Sequence, residues 1–186
     1  MKRLLTTMCL MLAIGASAQT VTKTKYGVKV DAASSGTPTT EITIYSPSII
    51  RVTKYADGLQ QMPEKKSYSV VMQPTVTDFQ MKEAGTSVAL TTEQMTVTID
   101  KQTGMVCFAK GKQMLLQETA VGEVKTIGNG PDKGQYEVAQ NFLLDKNEAI
   151  FGFGQRGSNN LNQRGEDIKM WNTNGNITIP YFASEK

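Results

Sequence analysis

Period-two alternation, in short runs rich in β-branched residues, recurs along most of the chain and constrains its fold more than any other feature. It appears at Val21, Lys23 and Lys25 against Thr22, Thr24 and Tyr26, then at Ile42-Thr43-Ile44-Tyr45, Ile50-Arg51-Val52-Thr53, Tyr68-Ser69-Val70-Val71 and Met95-Thr96-Val97-Thr98-Ile99. Successive side chains of a strand point to opposite faces, so each run predicts a half-buried strand. Turn chemistry separates the runs at Ser34-Ser35-Gly36-Thr37-Pro38, Ser46-Pro47, Ala56-Asp57-Gly58, Glu83-Ala84-Gly85, Lys101-Gln102-Thr103-Gly104 and Asn129-Gly130-Pro131-Asp132. Residues 94–100 and 104–109 read as a hairpin in which Gly104 supplies the left-handed residue, and Met114-Leu115-Leu116-Gln117 as the next strand. Strands at this spacing, with no long helical pattern, predict an all-β antiparallel sandwich of roughly ten strands.

The densest packing chemistry lies in Glu148-Ala149-Ile150-Phe151-Gly152-Phe153-Gly154-Gln155-Arg156-Gly157. The apolar run feeding alternating Gly and Phe predicts a buried strand whose neighbour approaches its backbone closely at Gly152 and Gly154. The same letters match G-x-G-x-x-G, but a dinucleotide site also needs a helix starting at the third glycine and an acid about 20 residues later. Ser158-Asn159-Asn160-Leu161-Asn162-Gln163 follows instead, an amide-rich run that forms helix poorly. No cofactor is expected.

Phe151-Gly152-Phe153-Gly154-Gln155, Arg164-Gly165, Trp171-Asn172-Thr173-Asn174 and Ile179-Pro180-Tyr181-Phe182-Ala183-Ser184 stand in an order and spacing that resemble the end of the N-terminal domain of glycoside hydrolase family 31, the α-glucosidases and α-xylosidases. Ser48-Ile49-Ile50-Arg51-Val52 resembles a segment near the start of that family's sandwich. The resemblance implies a galactose-mutarotase-like sandwich ahead of a catalytic barrel that carries both catalytic aspartates, with the loop around Trp171 projecting toward the sugar pocket. Two positions depart from the family pattern: Gln155 stands where an acid is common, and Asn174 where many members have Asp.

The amino terminus has a basic start at Lys2-Arg3, an apolar stretch over residues 4–14 and small residues at Ala16-Ser17-Ala18, the pattern of a secretory signal peptide cleaved near Ala18-Gln19. The apolar stretch is short of the roughly 18 residues a membrane span needs, so export without membrane insertion is expected. Of 20 basic and 17 acidic residues, cleavage removes two basic ones and no acid, leaving a net charge of +1 and no long run of like charge. That balance argues against nucleic acid as a partner. Residues 19–186 then form one β-domain, expected to be incomplete at its carboxyl end because a strand-like run stops close to Lys186. Without Cys9 the domain keeps only Cys107, which alternates with Val106 and Phe108 as a buried, inert residue would, so a core and not an internal disulfide must stabilise it. The chain has no histidine, which excludes Ser-His-Asp and Cys-His catalysis and removes the commonest zinc ligand; no metal is expected.

Glycoside hydrolysis needs two carboxylates flanking one bond. Glu166 with Asp167, and Asp145 with Glu148, are the available pairs, but neighbours on a strand point apart and Asp145-Lys146-Asn147 reads as a surface turn. All four are expected to be solvated or structural, and no catalytic residue is assigned. Trp171-Asn172-Thr173-Asn174-Gly175-Asn176 offers a flat ring beside several amides, the chemistry that stacks on a sugar and hydrogen-bonds its hydroxyls. A type I′ turn at Asn174-Gly175 beside a core tryptophan would explain the same residues. With the resemblance, Trp171, Asn172 and Asn174 are the candidate substrate-binding residues. The methionines are scattered and read as core filler. Two functions stay open: an accessory domain of an exported retaining α-glycosidase, whose partners would be a carbohydrate and the barrel of the same polypeptide, or an autonomous carbohydrate-binding or structural module.

Overall fold

The computed structural model describes residues 20–31, 37–55, 68–119, 123–157 and 160–185; the segment read as a signal peptide and the turn at Ala56-Asp57-Gly58 lie outside them. Among the described residues there are thirteen strands and no helix. Strands β1 (Val21–Thr24), β2 (Gly27–Val30), β3 (Thr39–Ser46) and β4 (Ile49–Tyr55) form one antiparallel sheet in sequence order. Strands β5 (Gln80–Ala84), β6 (Ser87–Thr91), β7 (Thr96–Asp100), β8 (Val106–Lys110) and β9 (Gln113–Gln117) form a second, also in sequence order. Two ribbons follow: β10 (Glu123–Thr126) with β11 (Tyr136–Ala139), and β12 (Ile150–Gln155) with β13 (Ile177–Ser184).

The two sheets pack face to face through the residues the alternation points inward. Val28, Val30, Ile42 and Ile44 from the first sheet meet Val88, Leu90, Val97, Ile99 and Val106 from the second, all essentially inaccessible to water. Register carries the pattern across strands, pairing Val28 with Ile42, Val88 with Ile99 and Leu90 with Val97, so each sheet shows one continuous apolar face. Each such side chain contributes about 1.5–3 kcal/mol when fully buried. The all-β sandwich is thus the observed fold.

Threonines stitch the open ends. Thr40 Oγ1 donates between Pro38 O and Gly104 O, Thr37 Oγ1 donates to Gln102 O at 3.3 Å, and Thr92 Oγ1 donates to Pro47 O at 2.6 Å. At the β7–β8 turn Asp100 Oδ1 accepts the amides of Gln102 and Thr103 and the Thr103 hydroxyl, and Gly104 has φ +69°, the left-handed residue the sequence predicts. A buried ion pair closes one side: Lys54 Nζ lies 2.5 Å from Glu118 Oε2, which also accepts the Val106 amide at 2.8 Å. On the outer face of the first sheet the Tyr55 hydroxyl donates to Glu41 and the Lys29 ammonium sits 5.4 Å from the ring centroid. Burial, reinforced by that carboxylate, pushes the phenol up to about 12.

Four expectations are corrected. Val21 to Tyr26 is not one strand; the chain turns at Lys25-Tyr26 and returns as β2, because Gly27 has no side chain to keep it from Ile42, where a Cβ would lie 2.0 Å from the carbonyl oxygen. Tyr68 to Val71 alternates but joins no sheet, and Tyr68 and Val71 are exposed. Among the described residues the methionines do not fill the core: Met72, Met81 and Met170 are exposed and Met95, Met105 and Met114 half-buried, the interior being taken by branched residues, and Met62 lies outside those residues. Strand β12 is buried only at Ile150; beyond it the ribbon is half-buried or exposed. Cys107 is half-buried in β8, where burial raises its thiol pKa.

Candidate functional site

The ribbon of β12 and β13 is built around its glycines. A Cβ on Gly152 would lie 2.6 Å from Tyr181 O, and one on Gly154 would lie 2.1 Å from Ile177 O, so the close approach expected at both positions is present. The register slips between them, and Gly152, Phe153 and Gly154 all have positive φ, at 118°, 63° and 86°. Phe153 is the only non-glycine of this kind among the described residues, and for a bulky aromatic side chain that backbone is strained. The bulge lets Phe153 stack on Phe182 with ring centroids 5.5 Å apart.

Amide and guanidinium side chains pin residues 160–176 to this ribbon. At one end Asn162 Oδ1 accepts the Ile150 and Arg164 amides, each at 3.0 Å, and the Gln163 amide donates to Ile150 O. Arg164 Nη1 donates to both Asp145 O and Glu148 O, at 2.9 and 2.8 Å. At the other end Asn176 Oδ1 accepts the Gly157 amide at 3.2 Å, and Asn172 Oδ1 accepts the amide and hydroxyl of Thr178, both at 2.9 Å. Asn162, from the run that excluded a helix, is therefore one of several side-chain clips. Sequence reasoning missed Asn162, Arg164 and Asn176 as holders of the loop; amide density was the available signal, and it does not tell which backbone each amide grips.

Within this frame the three candidate residues take different places. Trp171 is exposed, with the Lys169 ammonium 5.7 Å from its ring centroid, and is not a core tryptophan. Asn172 faces β13 through its carbonyl oxygen. Asn174 sits at the exposed tip of a turn closed by reciprocal Thr173 and Asn176 backbone hydrogen bonds. Gly175 has φ +89° while Asn174 stays at negative φ, so the turn follows the type II pattern and not type I′.

Two of the carboxylate candidates hold backbone or amide partners of their own chain. Glu148 is buried and its Oε2 accepts the Asp145 amide at 2.8 Å, closing a turn, while Glu166 is exposed and takes an amide hydrogen from Asn160. On β13, Ile177, Ile179 and Tyr181 are exposed and alternate onto one face of the strand, and Phe182 is exposed on the other.

Comparison with known proteins places this geometry. Residues 39–180 match the glycosyl hydrolase 31 N-terminal galactose mutarotase-like domain. A GH31 alpha-xylosidase from Xanthomonas citri superposes with a TM-score of 0.76 over 87% of the chain at 29% identity. A GH31 alpha-xylosidase from a soil metagenome, complexed with xylose, gives 0.70 over 89% at 16%, and the Flavobacterium johnsoniae GH31 dextranase 0.63 over 91% at 20%; these two show the fold alone. The chain spans 18%, 26% and 21% of those three proteins. With three quarters of its length inside that match, the chain belongs to glycosyl hydrolase family 31, and its sandwich is the family's N-terminal galactose mutarotase-like domain.

Proposed function

We propose that this chain is the amino-terminal part of an exported retaining α-glycosidase acting on α-glucosides or α-xylosides, in which it lends the Trp171 loop to the sugar pocket. The observation that carries the reading is the tip of that loop. Asn174 is held out by a closed turn and Trp171 exposes its ring nearby in sequence, on a segment clipped at both ends. A rigid loop with an exposed ring and an amide suits sugar binding, where small errors of position are expensive in rate. The exposed apolar residues of β13 suit a surface covered by the catalytic barrel of the same polypeptide. Catalytic carboxylates would come from that barrel. Cleavage near Ala18-Gln19 would export the protein.

The test uses the full-length enzyme. Asn174→Ala is expected to lower kcat/KM by roughly 1–3 kcal/mol, about ten- to a hundredfold, with little change in melting temperature. Asn172→Ala is expected to lower both, because the clip on Thr178 goes with it. Unchanged kcat/KM in Asn174→Ala, with a lowered melting temperature, would make the tip a plain turn and remove the loop from the pocket. Asn174→Asp should shift preference between glucosides and xylosides if the tip meets sugar.

A further inference from the structure

We infer that Lys169 is a positioning residue for Trp171: its ammonium caps one face of the indole and holds the ring so that the opposite face is presented to sugar. This rests on the reading of the Trp171 loop as part of the sugar pocket. The Lys169 ammonium sits over the ring, 5.7 Å from its centroid, inside the roughly 6 Å over which an aromatic face attracts a cation. Lysines stand over rings at three other places among the described residues: Lys23 over Phe79, Lys25 over Tyr26 and Lys29 over Tyr55. Those three rings are buried or half-buried, whereas Trp171 is 62% exposed. Here the cation holds a ring that the fold itself leaves in solvent.

The surroundings explain why the ring needs a holder. Beside it Asn172 is fixed to the amide and hydroxyl of Thr178, both at 2.9 Å, so the backbone that carries Trp171 is tied to β13. The indole is not tied by the same bonds. Among the described residues it stacks on no other ring and meets one cation, that of Lys169. Lys169 in turn belongs to neither ion pair of the described residues, Lys54 with Glu118 and Lys101 with Glu83, so no carboxylate draws its charge away from the ring. A free tryptophan side chain loses rotational freedom when a ligand stacks on it, a cost that prior restraint removes. The ammonium claims one face, and a sugar takes the other.

The experiment is a double-variant cycle in the full-length enzyme, with kcat and KM measured on aryl α-glucosides and α-xylosides for Lys169→Ala, Lys169→Arg, Trp171→Ala and the pair Lys169→Ala with Trp171→Ala. Both residues are exposed, so all four variants should fold. Lys169→Ala is expected to raise KM about two- to fivefold, the factor that a cation–π contact at an exposed site represents. Its kcat should not change, because a restrained ring serves substrate and transition state alike. Lys169→Arg should restore KM, since a guanidinium also stacks on an aromatic face. In the Trp171→Ala background, Lys169→Ala should add nothing. Full additivity would show that Lys169 acts on the substrate itself. An unchanged KM in Lys169→Ala, or no recovery in Lys169→Arg, would show that the cation does not hold the ring. Each of those results overturns the inference and leaves Trp171 in the pocket. Unchanged kinetics in Trp171→Ala would sink the reading of the loop first and this inference with it, so the two failures are distinguishable.

Discussion

Glu118→Ala is expected to cost about 3–5 kcal/mol of folding stability, the loss typical of removing one member of a buried ion pair. Two groups lose an acceptor by the change. The Lys54 ammonium, whose side chain is 12% exposed, loses its carboxylate at 2.5 Å and keeps only the Gln140 Oε1 contact at 3.4 Å, and the Val106 amide loses its acceptor at 2.8 Å. The double variant Lys54→Met, Glu118→Leu separates the two contributions. Replacing both charges by apolar groups of similar size should recover most of the loss, leaving about 1–3 kcal/mol for the orphaned amide. Denaturant unfolding measures all three proteins. A loss below 1 kcal/mol in Glu118→Ala would show that water reaches Lys54 freely, and a double variant as weak as the single would show that packing and not charge holds this side of the sandwich.

Gly154→Ala should be the most damaging single methyl in the ribbon. A left-handed backbone costs a non-glycine residue about 1–2 kcal/mol. At Gly154 the added carbon must also displace β13, since it would lie 2.1 Å from Ile177 O and 2.8 Å from Ile179 N. Gly175 is the matched control: its φ is +89°, but a Cβ there meets nothing within 4 Å. Gly175→Ala should therefore show the backbone cost alone, and Gly154→Ala that cost plus separation of the strands, read as a lower melting temperature and loss of ribbon protection in the full-length protein. Equal losses at the two positions would mean that the ribbon yields to the methyl without strain.

What could be read in the sequence follows from how local each cause is. The β7–β8 hairpin was legible because Asp100, Thr103 and Gly104 make their turn within five residues, and the glycines of β12 were legible because close approach leaves its mark on a single chain. The family could be read in the spacing of Trp171, Arg164-Gly165 and Ile179-Pro180. Alternation failed at Tyr68 to Val71 because period two reports a capacity to pair, and the pairing partner is not encoded in the run itself. It failed at Lys25-Tyr26 because nothing within the run marks the turn; Gly27 matters through Ile42, fifteen residues on. Glu118 gave no sign of being buried, since its partner Lys54 lies 64 residues away. At the candidate site Trp171 and Asn174 were visible as chemistry, whereas the turn type and the commitment of Asn172 to Thr178 are geometry and needed the fold.

The order of strands within the sheets also bears on how the chain folds. Both main sheets are meanders in which every hydrogen-bonded neighbour is adjacent in sequence, many joined by two-residue turns. Such pairings close short loops and lose little chain entropy before contacts form. The β12–β13 ribbon differs, because residues 156–176 separate its paired ends. At roughly 0.6 kcal/mol per doubling of loop length, that closure costs about 2 kcal/mol more than a two-residue hairpin. Pulse-labelled hydrogen exchange during refolding should find β6 and β7 protected before β12 and β13, and the reverse order would refute the argument. The segment proposed to meet the sugar is thus expected to be among the last parts of the domain to assemble.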